Sequence, residues 1–576
     1  MNPAQFLELF DRISDAPDAI PRLRRFILAL AVQGKLVEQD PRDEAASELL
    51  KRIQEEKARL VREGEIRAPR DLEARKEDED LYRLPARWTW CRLSEVGAII
   101  GGGTPPSGDL DNFTDGGSGI AWLTPADLGK HVSLYISHGT RDLTEQGLRS
   151  SSATLMPQGS VLFTSRAPIG YTAIATNEIS TNQGFKSVVP FIPECNLYIA
   201  IYFRAFGKTI DSKASGTTFR EVSGKIVANL PFPLPPLAEQ HRIVAKVDEL
   251  MALCDRLDAA KTKRENWRDR LAAASLNRLN QPADDLAVFQ ESARFYFNHL
   301  SPLTTRSEHI QQLRQTILTL AVLGKLVPQD PNDEPASELL KIIQVEKARQ
   351  VEAGEAKDLK RYSVKAGVDE PFNIPKAWLW ISLGDIAFGF RYGTSVKCSY
   401  EPTGQPVLRI PNVDNGRINI EDLKFGALSA REVEDLRLQL GDILMVRSNG
   451  SLNLVGRPAL VEAHAVGFCY AGYLVRVRAS AIHLNPRYLL LALNTTHVRD
   501  QIEVPIRTTV GLKNVNATEL SSLTIPLPPL AEQHRIVAKV DELMVLCDRL
   551  EAQITTTKSE SRRLLETVLH NALALA

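Results

Sequence analysis

The stretch PLPPLAEQHRIVAKVDELMALCDRL at residues 233–257 occurs a second time at residues 526–550, with 24 of 25 positions identical. Residues 23–59 (LRRFILALAVQGKLVEQDPRDEAASELLKRIQEEKAR) likewise return at residues 313–349, with 28 of 37 positions identical. Between these repeats lie two inserts of similar length that hardly match each other. Because a repeat of this size outweighs any short motif as evidence, the sequence predicts two different modules held by matching helical arms.

Composition is that of an ordinary water-soluble protein, with 43% hydrophobic and 24% charged residues. No apolar run reaches the roughly 18 residues that a membrane helix needs. The N-terminal stretch carries acidic residues early and lacks the basic region of a secretory signal. The six cysteines show no CxxC spacing. We therefore expect a cytoplasmic protein with reduced thiols, no zinc site and no membrane association.

The net charge of −1 is unevenly distributed along the chain. Residues 81–235 sum to +2 and residues 372–529 to +3, whereas the repeated segments are acidic or near neutral. Binding of nucleic acid by the inserts would produce this pattern. Ordinary fluctuation over segments of this length would produce it equally well, so charge alone does not decide.

The downstream repeat is predicted to be a long helix. Its apolar residues follow the 4-3-4-3 spacing of a coiled coil, at Ile243, Val247, Leu250, Cys254 and Leu257 and again at Ile536, Val540, Leu543, Cys547 and Leu550. Such a stripe suits any bundle core, but its duplication favours pairing of the two helices around a pseudo-twofold axis. The family resemblance described below implies contacts between these helices and partner subunits, and the candidate contact residues are Leu237, Ile243, Val247, Leu250, Leu530, Ile536, Val540 and Leu543.

The upstream repeat is predicted to be a helix that ends at Gly34, because Leu23, Ile27 and Leu30 share one face and glycine commonly follows a helix. Each insert then opens with P-x-x-W-x-W, at Pro85 and at Pro375. Short β-like runs alternate with Gly and Pro turns after each opening. Each insert is therefore predicted to be a mixed α/β module, and its tryptophans are expected to anchor the core.

Polar clusters at predicted loop tips are the candidate DNA contacts. Arg, Asn and Gln side chains can make bidentate contacts with base edges, and Ser and Thr suit phosphates. For any one residue a plain turn is the simpler interpretation, but the set on two matched modules favours recognition. The candidates are Thr104, Trp122, Arg166, Asn182 (within Thr181-Asn182-Gln183-Gly184), Thr218 and Arg220 in the first insert, and Tyr392, Arg409, Asn412, Arg447, Asn449, Arg507 and Thr509 in the second. We expect Arg447 and Asn449 to contact bases, and Arg507 and Thr509, in a separate polar loop, to contact the phosphate backbone.

Catalytic motifs are mostly absent. The sequence contains no G-x-x-x-x-G-K-[ST], no H-E-x-x-H and no G-x-S-x-G. The NLPF at residues 229–232 only partly matches the N-P-P-F of amino-methyltransferases, and its repeat partner reads SLTI. We therefore predict a chain without catalytic activity of its own.

Three features together resemble the specificity subunit of type I restriction–modification systems: the doubled PLPPLAEQHRIVAKVDEL, the doubled LAVxGKLVxQDPxDExASELL and the P-x-x-W-x-W openings. The resemblance covers essentially the whole chain. It implies two target recognition domains, two methyltransferase subunits carrying S-adenosylmethionine, and ATP-dependent translocating nuclease subunits. It also implies that S-adenosylmethionine, ATP and Mg belong to those partners and that this chain holds no cofactor. It implies no particular base contacts.

The repeat order predicts an α+β protein with permuted pseudo-twofold symmetry, in which two globular α/β target recognition domains are separated by long antiparallel paired helices. The predicted segments are an N-terminal helical segment (1–80), a first recognition domain (81–236), a central helical spacer (237–371), a second recognition domain (372–529) and a C-terminal helix (530–576). Because the symmetry mate of the central spacer is assembled from both chain ends, those ends should meet. The predicted function is binding of duplex DNA at a split, asymmetric site. A coiled-coil scaffold with two protein-binding inserts is the alternative, and a self-contained nuclease or methyltransferase is a third possibility.

Overall fold

The computed structural model describes residues 16–66, 81–131, 133–166, 168–214, 220–281, 286–354, 370, 372–504, 507–509 and 512–575. The chain divides into two compact units, Met1–Lys263 with Lys558–Ala576, and Arg264–Thr557. Each unit contains one insert together with one copy of each repeated segment. The arms therefore fold with the inserts, because arm and insert share one hydrophobic core in each unit.

The first unit combines helices in its arms with short strands in its insert. Its helices are Ala19–Val32, Ala46–Arg62, Leu93–Val96, Pro125–Lys130, Glu145–Arg149, Asn196–Ser212, Gly224–Ala228 and the first part of Leu237–Asn280. A five-stranded sheet has the order Gly97–Gly101, Lys186–Pro190, Val161–Phe163, Thr172–Ala175, Tyr135–Ile136, and is antiparallel except for its last pair. Three two-stranded pairs complete the insert: Thr89–Arg92 with Pro231–Leu234, Phe113–Asp115 with Arg141–Leu143, and Trp122–Leu123 with Ser180–Thr181.

The second unit follows the same plan with a larger sheet. Its helices are Leu286–Asn298, Leu300–Leu303, Ser307–Val322, Ala336–Glu352, Leu383–Ile386, Ala430–Leu436, Pro486–Leu493, Thr496–Glu503, Ala517–Ser521 and most of Leu530–Leu575. A six-stranded sheet has the order Ala387–Tyr392, Leu474–Ala479, Ile443–Val446, Pro458–Leu460, Gly416–Ile418, Val413–Asp414. One three-stranded sheet has the order Lys424–Gly426, Gln405–Leu408, Cys469–Tyr470. A second three-stranded sheet has the order Ser448–Asn449, Leu512–Asn514, Arg507–Thr509. Strand Leu379–Ser382 pairs with Thr524–Leu527. Among the helices described, none is long and apolar enough to cross a lipid bilayer.

The predicted end of the upstream helix at Gly34 is confirmed. Helix Ala19–Val32 stops just before Gly34, which has φ +70°, and Gly324 repeats this geometry with φ +67°. A Cβ at Gly324 would lie 2.4 Å from Pro375 Cγ and 3.4 Å from the ring of Trp378. The opening Pro and Trp of the insert therefore pack directly on this glycine, and Trp88 and Trp378 are both buried, as predicted.

The predicted partner-contact residues need correction. Ile243, Val247, Ile536 and Val540 are at most 2% exposed and belong to the hydrophobic cores of their own units. Four further leucines pack half-buried against the same cores: Leu237, Leu250, Leu530 and Leu543. The coiled-coil spacing marks the buried face of each helix, and in the described residues that face is covered by the arm and insert of the same unit. The four core residues are thus unavailable to a partner, and the four leucines expose only part of their side chains.

Matched polar contacts fix the long helices to the arms. Arg242 binds Asp43 through two hydrogen bonds of 3.2 and 2.6 Å, and Arg535 binds Asp333 with the same two distances. Bidentate arginine–carboxylate pairs fix orientation as well as distance. The two units therefore hold their downstream helix to their upstream arm by the same chemistry.

The two chain ends meet in the first unit, as the repeat order predicted. Ala16 and Ala19 form a buried cluster with Leu565 and Val568. Lys35 Nζ also donates to the carbonyl of Leu573 at 2.6 Å. In the second unit the equivalent Lys325 Nζ donates to the carbonyl of Gln281 at 2.8 Å, where the chain is continuous.

We expect Gly324→Ala to lower the free energy of unfolding more than Gly354→Ala does. Both glycines have positive φ, +67° and +75°, but nothing lies within 4 Å of a Cβ at Gly354. Alanine in left-handed backbone costs about 1–2 kcal/mol at either position, and overpacking against Pro375 and Trp378 adds about 1–3 kcal/mol at Gly324. Urea denaturation followed by tryptophan fluorescence measures the difference. An equal loss of unfolding free energy in the two variants would show that the contact with Pro375 and Trp378 does not limit the side chain at position 324.

Candidate nucleic-acid interface

Aromatic and basic side chains leave one end of the six-stranded sheet. Strand Leu474–Ala479 pairs antiparallel with Ala387–Tyr392 and with Ile443–Val446, with Val475 opposite Tyr392 and Leu474 opposite Val446. Tyr392, Arg447 and Tyr473 therefore emerge at the same end of the sheet. Tyr392 is 38% exposed and Tyr473 is 58% exposed. Exposed rings beside a cation are a common arrangement in surfaces that bind nucleic acid.

Arg447 is held by an aromatic ring instead of a carboxylate. Its guanidinium lies 4.2 Å from the centroid of the Tyr392 ring. The Tyr392 hydroxyl oxygen in turn accepts a hydrogen bond from the backbone N–H of Ala517 at 2.8 Å, which fixes the ring. Within the described residues, Arg447 has no acidic partner. A guanidinium that lies over an aromatic ring and has no acidic partner is suited to bidentate contact with a guanine or a phosphate through its terminal N–H groups.

The sheet beside Arg447 corrects one prediction. Strand Leu512–Asn514 pairs on one side with Ser448–Asn449 and on the other with Arg507–Thr509. Arg507 and Thr509 therefore share a three-stranded sheet with Asn449, whereas the sequence suggested a separate loop. Their side chains lie outside the described set, so their assignment to the phosphate backbone stays a prediction. The side-chain oxygen of Asn449 accepts a hydrogen bond from the backbone N–H of Ser451 at 2.8 Å.

Both modules build this region on the same backbone hydrogen bonds, which we call the shared backbone frame. In the second module they are Thr394 N to Tyr470 O, Ala471 N to Leu408 O, Arg447 N to Tyr473 O and Val515 N to Arg447 O, each 2.9 Å. In the first module they are Gly103 N to Thr181 O, Asn182 N to Leu123 O and Val222 N to Ser165 O, each 2.9 Å, and Ser165 N to Gly184 O, 2.8 Å. Ser165 is thus the structural equivalent of Arg447, and Gly184 that of Tyr473.

The frame leaves no room for a side chain at one position in each module. A Cβ at Gly102 would lie 2.0 Å from the carbonyl oxygen of Asn182, and one at Gly393 would lie 2.1 Å from that of Tyr470. Contacts this short with backbone atoms cannot be relieved by side-chain movement. Glycine is therefore required directly after strands Gly97–Gly101 and Ala387–Tyr392, where the chain passes against the backbone of another segment.

In the first module, basic side chains surround one carboxylate. Arg166 Nη2 lies 2.5 Å and Lys186 Nζ 3.3 Å from the carboxylate of Glu221. Burial alone would raise the pKa of Glu221, but the hydrogen bonds and charges of Arg166 and Lys186 outweigh it and hold that pKa below its usual value. The cluster keeps one positive charge in excess.

Several predicted DNA contacts have structural roles instead. Trp122 is buried and its indole N–H donates to the carbonyl of Gly103 at 3.0 Å. Asn412 is also buried, and its amide donates to the carbonyls of Asn419 and Asp422. These two residues cannot contact DNA, because neither reaches the surface. Arg409 Nη2 donates a hydrogen bond to the carboxylate of Asp422 at 2.7 Å.

The remaining candidates of the first module differ in accessibility. Thr104 is exposed and hydrogen-bonded to the side chain of Gln183, whereas Asn182 is half-buried. Arg220 is exposed and donates to the carbonyl of Asp211 at 2.7 Å. Thr218 lies outside the described residues. Sequence reasoning missed Lys186, Glu221 and Tyr473, although Lys186 and Glu221 lie within two residues of predicted polar clusters.

Neither module offers a metal centre within the part of the chain that is described, since no group of three or more His, Cys, Asp or Glu residues there could hold an ion. No disulfide joins the described cysteines, and all but Cys398 are buried. The described side chains of this surface provide hydrogen-bonding groups, an aromatic ring and positive charge.

We expect Arg447→Ala to relax preference at one base pair by about 1–3 kcal/mol, the value of one bidentate contact. Arg409→Ala is the matched control, because that guanidinium is already paired with Asp422. Competition binding against every single-base variant of the target measures both. A uniform loss of affinity in Arg447→Ala would contradict base contact and indicate a phosphate contact instead.

Comparison with known proteins identifies the family of this chain. A family model described as the type I restriction modification DNA specificity domain matches residues 85–265 and 375–557. The specificity subunits of the type I restriction enzymes EcoEI and EcoAI of Escherichia coli are each 30% identical to this chain over 96% of its length, covering 94% and 93% of their own. A solved HsdS subunit from Thermoanaerobacter tengcongensis is 21% identical, with a TM-score of 0.41 over 86% of this chain and 98% of its own. The chain belongs to the family of type I restriction modification DNA specificity subunits, with two tandem target recognition domains of mixed helix and sheet.

Proposed function

We propose that this specificity subunit binds a bipartite, asymmetric duplex DNA site, and that each target recognition domain reads one half-site. The observation that carries the proposal is Arg447, stacked on Tyr392 and without an acidic partner among the described residues. A guanidinium without an acidic partner can make charge-assisted hydrogen bonds with DNA, and its charge releases counterions from the phosphate backbone.

The two half-sites are proposed to differ because the two domains present different side chains from equivalent frame positions. Where the second domain has Arg447 and Tyr473, the first has Ser165 and Gly184. The hydrogen-bonding groups offered to the major groove therefore differ between the domains. A palindromic site would require equivalent side chains at these positions.

The helical segments are proposed to form an antiparallel paired spacer with pseudo-twofold symmetry. The proposal is supported by the repeated sequence of the long helices and by the equal Arg242–Asp43 and Arg535–Asp333 contacts in the two units. In this arrangement the spacer would separate the half-sites by a gap without base preference.

The same exposed face occurs on each of the two long helices, which supports the binding of two copies of one partner. The residues that share this face lie three or four positions apart and so project on one side of the helix, opposite the buried stripe. They are Ala238, His241, Ala245, Glu249, Leu253 and Arg256 in the first copy and Ala531, His534, Ala538, Glu542, Leu546 and Arg549 in the second. Packing within the unit does not demand identity at exposed positions. We propose that each face binds one methyltransferase subunit.

The remaining roles are proposed for the partner subunits. The methyltransferase subunits would carry S-adenosylmethionine, and ATP-dependent translocase and nuclease subunits would use ATP and Mg. This chain would hold none of these cofactors and would position the partners on the DNA. The absence of known catalytic motifs in the sequence agrees with this division.

Selection from a random duplex pool by the assembled complex tests the bipartite site. We expect enrichment of two different half-sites of a few base pairs each, with no preference in the gap. Exchange of residues 81–236 for the equivalent domain of a relative should alter one half-site and leave the other unchanged. A continuous or palindromic target, or a change in both half-sites, would contradict the proposal, and absence of any enrichment would favour a protein-binding scaffold.

We expect Ala245→Arg and Ala538→Arg each to remove one methyltransferase subunit, because a long charged side chain would disrupt a packed helical face. Native mass spectrometry of the reconstituted complex counts the subunits. Ala273→Arg is the control, since Ala273 is exposed on the same long helix and its repeat counterpart is Glu566. Two bound methyltransferase subunits in both variants would show that the duplicated face is not the binding surface.

A further inference from the structure

Gln183 occupies the tip of an ordered turn at the candidate interface of the first domain. The side-chain oxygen of Asn182 accepts from Gly184 N at 2.9 Å, and Phe185 N donates to the Asn182 carbonyl at 3.3 Å. Lys186 Nζ donates to the Gln183 carbonyl at 3.2 Å. Gln183 is exposed, whereas Asn182 is half-buried. The turn therefore fixes the backbone of Gln183 and leaves its side chain outside.

Turn chemistry does not explain a glutamine at this tip. Asn and Gly are favoured in turns because Asn hydrogen-bonds its own backbone and Gly tolerates unusual dihedral angles. Asn182 and Gly184 already fill those roles on either side. Gln183 is free to vary as far as the turn is concerned.

The Gln183 amide is oriented by a neighbouring loop. The Thr104 hydroxyl donates to Gln183 Oε1. The loop that carries Thr104 is itself fixed, because Gly103 N donates to the Thr181 carbonyl at 2.9 Å. The Gln183 Nε2 group has no hydrogen-bonding partner among the residues described. One lone pair of Oε1 and both amide N–H groups thus remain available in a fixed orientation.

We propose that Gln183 reads an adenine in the first half-site and that Thr104 is its positioning residue. The glutamine amide accepts from adenine N6–H and donates to N7, which is the bidentate pairing typical of this side chain. Because Thr104 already restricts the rotamer, less side-chain entropy is lost on binding. The inference rests on the proposed function, since it names the base contact of one of its half-sites.

The surrounding charge suits this role. Lys186 and Arg166 share the single carboxylate of Glu221, so one positive charge remains beside the tip for the phosphate backbone. The equivalent of Gln183 in the second domain is Gly472, which follows from the matched bonds of Asn182 and Ala471. In this proposal the base contact of the second domain comes from Arg447, whereas that of the first domain comes from Gln183.

Competition binding by the assembled complex, with every single-base variant of the selected site, tests the assignment. Gln183→Ala should reduce discrimination at one A·T pair of the first half-site by roughly ten- to hundredfold. Gln183→Glu should shift the preference at that pair toward cytosine, whose N4–H donates to a carboxylate. Gln146→Ala is the matched control, because Gln146 is also exposed but is hydrogen-bonded to Asp109 at 3.2 Å.

The role of Thr104 is tested at the same base pair. Thr104→Val should lower discrimination there, whereas Thr104→Ser, which keeps the hydroxyl, should retain it. The second half-site should be unchanged in every variant. Because Gln183 is exposed, its variants should fold even if Thr104→Val does not.

Two outcomes would overturn the inference while leaving the proposed function standing. One is unchanged discrimination in Gln183→Ala while Arg447→Ala relaxes the second half-site. The other is an equal loss of affinity for every sequence in Gln183→Ala, which would place the side chain on the phosphate backbone. A wild-type complex without sequence preference would instead overturn the proposed function itself.

Discussion

A carboxylate buried at the start of the second long helix, that of Glu532, joins three segments that are distant in sequence. Glu532 accepts from the indole of Trp378 at 2.8 Å and from the amide of Gln329 at 2.5 Å. Burial raises the pKa of this carboxyl, and the two hydrogen bonds offset part of the effect. Removal of the carboxylate would leave the buried indole N–H of Trp378 without a hydrogen-bond acceptor, at about 1–3 kcal/mol. Helix, insert opening and upstream arm are thereby held together.

This arrangement separates what must stay constant from what can vary. Glu532, Gln329 and Trp378 all lie in the repeated segments or in the insert opening. The candidate interface depends on backbone hydrogen bonds of the shared frame, which most side chains permit. The required glycines, Gly102 and Gly393, are exceptions set by backbone contact. The two inserts can therefore diverge in side chains while they keep one geometry.

Sequence patterns predicted the features that depend on local chemistry. The helix end at Gly34 and the buried tryptophans followed from dihedral preference and from size. The coiled-coil stripe identified the buried face of each long helix. Periodicity does not reveal which residues pack on that face, and in the structure they belong to the arm and insert of the same unit. The site was harder to predict: burial of Trp122 and Asn412, pairing of Arg409 with Asp422, and the Tyr392 ring under Arg447 all depend on contacts between distant residues.

The meeting of the chain ends has a consequence for synthesis on the ribosome. The first unit contains Met1–Lys263 and also Lys558–Ala576, so its final residues emerge only after the entire second unit. At the usual rate of 5–20 residues per second, the interval is roughly 15 to 60 s. During that time Ala16 and Ala19 lack the cover of Leu565 and Val568. The half of the protein that is made first is the half that is completed last.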